Sequence, residues 1–286
     1  MSPTEGKNLA QIEAYYAATH DSYQRWGSDS TRQKLYSLHF GLETHQGEDT
    51  PFDNKAALVA LTDTLIDFAQ IQNGSKILDA GCGTGTVSYR IQDRFNNCFV
   101  YGINISTTQL REAVVYNNKN TSSPYFARAD YHHTSFRDGF FDQVLFCESL
   151  IHSPYKIDLL GESTRIIRQG GSLVVSDYFR LKEPSTELDV QQWEVLERGW
   201  ELPYFMTMPD FIIEMSNKGL RSITFKNLTK QVERSVVTLG NSCEAKLKLT
   251  DNIPPEIRNN RLASVAFRDL LLSGNLGYFF IKGNVK

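Results

Sequence analysis

Cysteine is scarce in this sequence of 286 residues, which contains only Cys82, Cys98, Cys147 and Cys243. These positions show no C-x-x-C spacing, so they support neither a zinc site nor a disulfide framework. Cys82 lies in a glycine-rich stretch and Cys147 ends an apolar run, and both are expected to be small buried residues. The pattern is compatible with a reducing cytoplasm.

Long apolar runs and an excess of positive charge are also missing. No stretch of about 18 consecutive apolar residues occurs, so stable insertion into a membrane is not expected. The first residues lack the basic and apolar regions of a signal peptide, which favours a cytoplasmic location. The net charge of −3 argues against a nucleic-acid backbone as the main partner.

The remaining composition is that of an ordinary soluble globular protein, with 41% apolar and 22% charged residues. The length suffices for one large α/β domain with an elaboration, or for two smaller domains. Apolar periodicity predicts helices over residues 8–26, 54–72, 107–116 and 158–168. Asn73-Gly74 is expected to cap the second of these helices. Buried strands are predicted at Ile77-Leu78 and at 98–106, 140–147, 172–178, 219–227 and 275–282.

The stretch 76–90 combines a short buried strand, an acidic residue, three alternating glycines and the start of a helix. Gly81, Gly83 and Gly85 allow the backbone to turn sharply and to approach a ligand closely, because no Cβ stands in the way. A strand, a glycine turn and a helix in this order form a nucleotide-binding crevice at the carboxyl end of a parallel strand. Asp79 precedes the first glycine, where it would repel a pyrophosphate but would suit a cationic ligand.

The run Leu-Asp-Ala-Gly-Cys-Gly-Thr-Gly at residues 78–85 resembles the first motif of class I S-adenosylmethionine-dependent methyltransferases. The resemblance implies a Rossmann-like α/β fold, with a seven-stranded, mostly parallel sheet and helices on both faces. It also implies that S-adenosyl-L-methionine is the cofactor. Asp79 would then lie near the methionine end of the cofactor, and the backbone of residues 81–85 would lie along it.

Two later stretches extend the resemblance. Asn104 stands where most class I methyltransferases carry an acid for the ribose hydroxyls, and an amide can still hydrogen-bond a hydroxyl. Gly-Ile-Asn-Ile-Ser followed by Gln109 resembles the sterol, tocopherol and related prenyl C-methyltransferases, although Gln109 could equally be a helix-surface residue. Ala129-Asp130-Tyr131 resembles the third motif, which meets the adenine amino group. The implied cofactor contacts are Asp79, Gly81, Cys82, Gly83, Gly85, Asn104, Ile105, Gln109, Asp130 and Tyr131.

Glu148 and His152 follow the strand predicted at 140–147. Strand ends of open α/β sheets face the ligand crevice, and a helical turn would bring residues four apart onto one face. The two residues are therefore predicted to act as a catalytic base and its partner, or to stabilise a cation on the acceptor after in-line methyl transfer. The string Glu-Ser-Leu-Ile-His-Ser-Pro resembles the Glu-x-x-x-His-x-Pro element of sterol C-methyltransferases. The adjacent pair His132-His133 lacks carboxylate spacing, so no metal is predicted.

Aromatic clusters predict two covers over a small hydrophobic substrate. Residues 1–53 are interpreted as an N-terminal helical flap and residues 179–218 as a substrate lid insertion. Residues 54–178 would then form the cofactor-binding core and residues 219–286 the remainder of that core. In the alternative interpretation, these aromatic side chains merely close an extended core. The predicted substrate contacts are Tyr15, Tyr16, Tyr23, His39, Tyr178, Trp193, Trp200, Tyr204 and Phe205.

These features together predict a methyltransferase that acts on a small hydrophobic metabolite. The resemblances favour a carbon atom of a prenyl, terpenoid or sterol-like acceptor, and O-methylation of a polyketide, peptide or phenolic natural product is the alternative. A diphosphate on the acceptor would need cations, which Arg25, Arg32 and Lys34 could supply. A homo-oligomer is compatible with the sequence. A dehydrogenase and a non-catalytic nucleotide sensor are disfavoured, because Thr84 and Asn104 depart from the dehydrogenase pattern and the glycine loop is intact.

Overall fold

The computed structural model describes residue 19 and residues 36–43, 52–115, 123–249 and 252–286. Several predictions fall outside the described residues. They are the helix over 8–26 apart from the helical residue 19, the substrate contacts Tyr15, Tyr16 and Tyr23, and the cations Arg25, Arg32 and Lys34.

Seven strands of the described chain form one sheet in the order β3-β2-β1-β4-β5-β7-β6. Strands β1 to β5 pair in parallel, whereas β7 runs antiparallel between β5 and β6. The predicted seven-stranded, mostly parallel sheet is therefore confirmed. The strands are β1 (Lys76–Ala80), β2 (Phe99–Asn104), β3 (Tyr125–Arg128), β4 (Phe141–Cys147), β5 (Ile167–Arg180), β6 (Leu220–Asn227) and β7 (Leu276–Val285).

Eight α-helices of the described chain surround the sheet. They are α1 (Asn54–Ala69), α2 (Thr86–Arg94), α3 (Thr107–Val115), α4 (Lys156–Ile166), α5 (Glu187–Gly199), α6 (Met208–Asn217), α7 (Thr229–Leu249) and α8 (Pro255–Leu272). The end predicted for the first of them is wrong. Helix α1 stops at Ala69 because Gln70 adopts a left-handed conformation, with φ of 56°. Asn73-Gly74 lies in the turn that follows.

The central strands are apolar on both faces, as strands covered by helices on two sides must be. In β5, Val174 and Tyr178 belong to one core cluster. Val175 and Phe179 belong to a second core cluster, because successive side chains of a strand point to opposite faces. Helices α1, α2, α5, α7 and α8 contribute to the first cluster. Helices α4 and α6 contribute to the second.

A helical hairpin, α7 and α8, is inserted between β6 and β7. The two helices pack closely, since Gly240 lies directly against the side chain of Arg268. Helix α8 also packs against α5, whose last residue, Gly199, lies against the backbone of Asn259. The indole N–H of Trp200 donates to the carbonyl of Asn260 over 3.3 Å. Helix α5, with Trp200, and the hairpin therefore form one continuous wall beside the carboxyl ends of the parallel strands. No described helix combines the length and hydropathy that a membrane span requires.

Candidate active site

A cavity of about 600 Å³ opens where β1, β2 and β4 end. The position follows from the topology, because the carboxyl ends of parallel strands meet at one edge of the sheet. The residues predicted from the sequence that line it are His39, Asp79, Gly81, Cys82, Gly83, Asn104, Ile105, Gln109, Asp130, Tyr131, Glu148, His152, Tyr178 and Trp200.

The glycine loop after β1 has a backbone that other residues could not adopt easily. Gly81 and Gly83 have φ of +79° and +55°. A Cβ at Gly81 would lie 2.5 Å from the Cβ of Ser149, and one at Gly83 would lie 2.7 Å from Leu38. The amides of Gly81 and Cys82 both donate to the carbonyl of Ile103, which ties the loop to β2. The loop is thus a cradle that a side chain would fill.

Gly85, which was predicted to contact the cofactor, makes a packing contact in the structure. It lies at the N-terminus of α2 with φ of +85°, and it does not line the cavity. A Cβ at this position would lie 2.7 Å from the ring of Phe126. Gly85 is therefore required by the packing of α2 against β3.

Asp79 places a buried carboxyl group at the bottom of the cavity. Its side chain is 1% exposed and accepts a hydrogen bond of 2.6 Å from the hydroxyl of Ser88. Burial raises the pKa of Asp79 to about 6, against the opposing effect of the Ser88 hydrogen bond. A cationic ligand would stabilise the ionised carboxylate, so this residue fits the positively charged end of S-adenosylmethionine.

Asn104 and Gln109 form a buried amide pair in the cavity wall. The side-chain amide of Asn104 donates to Oε1 of Gln109 over 2.7 Å. Both residues are almost completely buried, so Gln109 is not a helix-surface residue. Amide groups held in this way can exchange hydrogen bonds with hydroxyl groups such as those of a ribose.

Asp130 anchors the next loop around the cavity. Its Oδ1 accepts hydrogen bonds from the backbone N–H of His132 over 2.9 Å and from Nδ1 of the same residue over 2.7 Å. Nε2 of His132 lies 2.8 Å from the hydroxyl of Ser153, and the Tyr131 hydroxyl donates to the Ser149 carbonyl. This chain fixes the loop to the segment after β4. Among the described residues, no three His, Cys, Asp or Glu side chains are arranged to hold a metal ion.

Glu148 lies directly after β4 in a left-handed conformation, with φ of 49°. A non-glycine residue is uncommon there, and such strain often marks functional sites. Its Oε1 accepts hydrogen bonds of 3.0 Å from the backbone N–H of Phe40 and from the hydroxyl of Tyr278. Removal from bulk water, and then the charge of Asp177, raise the pKa of Glu148 well above its ordinary value.

His152 ends a single 3₁₀ turn, Leu150–His152, and lines the same cavity. Removal from bulk water, and then the charge of Lys156, lower the pKa of His152 to about 4. Its imidazole is therefore neutral at physiological pH and can accept a proton. Residues 148–152 do not form the helical turn that would place both side chains on one face, because the chain is left-handed at Glu148 and forms the 3₁₀ turn only afterwards.

Four aromatic rings form one side of the cavity, and we call this group the aromatic wall: Phe40, Tyr178, Trp200 and Phe267. The rings of Phe40 and Phe267 stack with centroids 5.3 Å apart. Tyr178 and Trp200 pack on Phe267 at 4.6 and 4.7 Å. The wall is adjacent to Glu148, because Phe40 supplies both a ring to the wall and an N–H to the Glu148 carboxyl.

Three predicted substrate contacts lie away from this cavity. Trp193 packs against Phe205, with ring centroids 4.7 Å apart, and is covered by the guanidinium of Arg180. Tyr204 and Phe205 border a separate groove on the other side of the segment. Trp193 and Trp200 are seven positions apart, a spacing typical of one helix face. Only Trp200 of this pair reaches the cavity, together with the following Leu202.

The sequence analysis missed the part of the cavity wall that the α7–α8 hairpin supplies. The eight lining residues of the hairpin are Leu239, Ser242, Cys243, Lys246, Asn260, Arg261, Ser264 and Phe267. In each helix these residues recur at intervals of three or four, which is the spacing of one helix face. That spacing was the available signal, but small and polar residues at these positions resemble an ordinary exposed face.

Comparisons with known proteins agree with this geometry. Residues 78–175 match the family model described as a methyltransferase domain. The chain is 24% identical over 254 residues to (+)-O-methylkolavelool synthase of Herpetosiphon aurantiacus, covering 87% of this chain and 84% of that protein. It is 26% identical to 27-O-demethylrifamycin SV methyltransferase of Amycolatopsis mediterranei, covering 73% and 77%. It is 25% identical to a sterol 24-C-methyltransferase of Saccharomyces cerevisiae, covering 77% of this chain but only 56% of that protein.

Solved structures share the fold at low sequence identity. The [4+2]-cyclase SpnF superposes with a TM-score of 0.80 at 16% identity, covering 98% of this chain and 97% of that one. Geranyl diphosphate methyltransferase superposes with a TM-score of 0.74 at 19% identity, covering 96% and 98%. The sheet, the glycine loop and the matched domain define a class I S-adenosylmethionine-dependent methyltransferase. Its relatives include the sterol and tocopherol C-methyltransferases, and its cofactor is S-adenosylmethionine.

Proposed function

We propose that this enzyme methylates a carbon atom of a small, largely apolar metabolite of the prenyl, terpenoid or sterol-like class. The observation that carries the proposal is the position of the Glu148 carboxyl group beside the aromatic wall, in the cavity that also contains the glycine loop. Rings and a carboxyl group in one wall are suited to an acceptor that becomes positively charged.

The chemistry explains why these groups matter. When bound, S-adenosylmethionine supplies an electrophilic methyl group. An alkene acceptor would use its π electron pair to form the new carbon–carbon bond as the sulfur–methyl bond breaks and its electron pair stays on the sulfur of the leaving S-adenosylhomocysteine. This step leaves a positive charge on the neighbouring carbon of the acceptor. Aromatic faces attract such a cation, and ionised Glu148 would attract it further. Loss of a proton from the acceptor then restores the double bond.

His152 is our candidate for the group that accepts this proton. Its imidazole lines the cavity and is neutral at physiological pH, because its pKa is lowered to about 4. Glu148 is held by two hydrogen bonds and is better suited to stabilise the cation than to move. The two residues would therefore divide the roles of base and cation stabiliser.

Enclosure of the acceptor would supply much of the remaining rate enhancement. Correct positioning of two reactants can contribute roughly 7–11 kcal/mol to catalysis. Trp200 and Leu202 from the segment 179–218, and Leu38 and Phe40 from the segment before α1, line the cavity and support a covering role for both segments. The division into flap, core and lid remains part of this proposal.

O-methylation is the second candidate, and a specific observation favours it. A neutral imidazole in the cavity wall could deprotonate an acceptor hydroxyl directly. The printed name of one relative contains an O-methyl product, and that of another contains an O-demethyl substrate. In this alternative, His152 is essential and Glu148 is less important, because no cation forms on the acceptor.

A labelled methyl donor tests the proposal. The enzyme is incubated with methyl-¹³C S-adenosylmethionine and a panel of terpenoid, sterol and phenolic acceptors, and mass spectrometry identifies the labelled product. NMR then shows whether the ¹³C-methyl group is bonded to carbon or to oxygen. Carbon-bonded label on a terpenoid or sterol supports the proposal, whereas label found only on oxygen would contradict it.

A further inference from the structure

The two helices of the α7–α8 hairpin run antiparallel along the cavity. The guanidinium of Arg268 contacts the side chains of Asn241 and Glu244, over 2.7 and 2.8 Å. One turn further along α7, Cys243 interacts with Ser264, which lies one turn earlier in α8. Continuing this pairing brings Lys246 opposite the first turns of α8, where Arg261 lies.

The hairpin face that lines the cavity is apolar at one end and basic at the other. Leu239 of α7 and Phe267 of α8 form an apolar end, and Phe267 belongs to the aromatic wall. Lys246 and Arg261 form the opposite, basic end of the same cavity wall. Leu239 and Lys246 are seven positions apart, which corresponds to roughly 10 Å along the helix. The hairpin therefore presents an apolar surface and two cations at a fixed separation.

These two cations have no ion pair with a described residue. Their basic neighbours on the hairpin do, because Lys248 and Arg268 both contact Glu244 over 2.8 Å. Lys246 and Arg261 both lie near Cys243, because the charge of each lowers the pKa of the Cys243 thiol, against the rise that burial causes. No described acidic residue of α7 or α8 lines the cavity. This end of the wall thus has two positive charges that a bound anion could neutralise.

We propose that Lys246 and Arg261 form a subsite for an oxyanion of the acceptor, either a carboxylate or a phosphate ester. The inference rests on the proposed function, because it places the apolar body of the same acceptor against the aromatic wall. An ammonium and a guanidinium donate charge-assisted hydrogen bonds to such oxygens, and the guanidinium can bind two of them at once. The subsite would select acceptors that are apolar at one end and anionic at the other.

Binding of three matched compounds tests this subsite. The full-length protein, saturated with S-adenosylhomocysteine, is titrated by calorimetry with farnesol, farnesoic acid and farnesyl monophosphate, which share one apolar chain. We expect at least one of the two anions to bind about tenfold or more tightly than the alcohol, as charge-assisted hydrogen bonds imply. The anion that gains more identifies a carboxylate or a phosphate as the preferred group.

Variants then assign the preference to the two cations. The double variant Lys246→Gln with Arg261→Gln should bind all three compounds with similar affinity, and each single variant should lose part of the preference. Lys248→Gln, on the same helix but outside the cavity, should retain it. Unchanged binding of S-adenosylhomocysteine shows that each variant is folded.

Three results would overturn the subsite. They are equal binding of the alcohol and both anions by the natural protein, no binding of any of the three, or a preference that survives in the double variant. The proposed function is tested separately, by measuring methyl transfer to neutral terpenoid acceptors. Such transfer by the natural protein does not depend on the anion subsite, so its absence counts against the proposed function alone.

Discussion

Asp79 is a costly residue to bury, because its carboxyl group forms no ion pair with any described residue. Burial raises its pKa to about 6, so near that pH the ligand-free enzyme holds a proton that a bound cation would displace. At the same scale, the hydrogen bonds from Phe40 and Tyr278 hold the Glu148 carboxyl against the aromatic wall. Both residues are positioned for positive charge, on the cofactor and on the acceptor respectively.

The pH dependence of cofactor binding tests the first of these roles. Affinity for S-adenosylmethionine should rise as the pH increases from about 5 to 7, because Asp79 must lose its proton to bind a cation. Calorimetry at pH 6 in two buffers with different ionisation heats should detect release of a proton on binding. Asp79→Asn should bind the cofactor at least about tenfold more weakly and should release fewer protons. Identical heats in the two buffers would contradict the assignment.

Replacement of Glu148 tests the second role. Glu148→Gln keeps the shape of the side chain but removes the negative charge that the cation would induce. We expect turnover to fall by about a hundredfold or more, as for other groups that stabilise a developing charge, while cofactor affinity stays within about threefold. Glu233→Gln, an acidic residue of α7 outside the cavity, is the matched control. Normal turnover by the Glu148 variant would exclude it as a cation stabiliser.

At the scale of elements, the site depends on one loop and one hairpin, and only the loop could be predicted. The glycines of residues 81–85 are local signals, since the required positive φ angles depend on the loop itself. The α7–α8 wall depends on how two helices pack over a sheet edge formed by strands about a hundred residues away. No local pattern encodes that contact. Trp193 illustrates the same limit, because its spacing fits a lid although its ring packs on Phe205.

The left-handed turn at Glu148 also escaped prediction. A glutamate with positive φ is disfavoured locally, by roughly 1–2 kcal/mol, and is maintained only by surrounding contacts. Those contacts come from Phe40 and Tyr278, which lie 108 and 130 residues away in the chain. Sequence reasoning therefore found the residue but gave it the wrong backbone conformation.

Two glycine substitutions separate backbone strain from steric conflict in the cofactor loop. Gly74 and Gly81 have φ of +81° and +79°, so alanine is similarly strained at both positions. A Cβ at Gly74 meets nothing within 4 Å, whereas one at Gly81 would lie 2.5 Å from the Ser149 Cβ. Gly74→Ala should lower the free energy of unfolding by about 1–2 kcal/mol, and Gly81→Ala by about 1–3 kcal/mol more. If denaturant titrations show equal losses of unfolding free energy for the two variants, Ser149 can move away from the new Cβ without destabilising the protein.

At the scale of the whole molecule, buried titratable groups of the cavity make the stability of the fold depend on pH in two opposite ways. The carboxyl groups of Asp79 and Asp177 have pKa values raised to about 6 and about 7. They favour the folded state at low pH, and this contribution is lost as the pH rises from about 4 to 7. His39 and His152 have pKa values lowered to about 4, so their contribution is lost as the pH falls from about 6.5 to 4. These buried groups of the cavity therefore lower the free energy of unfolding of the ligand-free protein.

The variant Asp79→Asn tests how much stability is lost by burying this carboxyl group. At pH 8 the ionised Asp79 destabilises the ligand-free fold by up to roughly 3 kcal/mol, which follows from the rise of its pKa to about 6. The asparagine variant should therefore be more stable than the natural protein at pH 8, and the difference should nearly vanish at pH 4. Denaturant titrations of both proteins at the two pH values measure this. A variant that is less stable at pH 8 would contradict the account.

The central claim, transfer of a methyl group to carbon through a cationic acceptor, is tested most directly by counting deuterium. A terpenoid acceptor identified in the labelled panel is prepared with deuterium on both carbons of its double bond and on the carbons next to them. The enzyme converts it with S-adenosylmethionine whose methyl group is also deuterated. Mass spectrometry of the product should show the gain of one methyl group and the loss of one deuterium, which leaves as the double bond is restored. A methylated product that retains every deuterium, on the acceptor and on the transferred methyl group, would contradict the account.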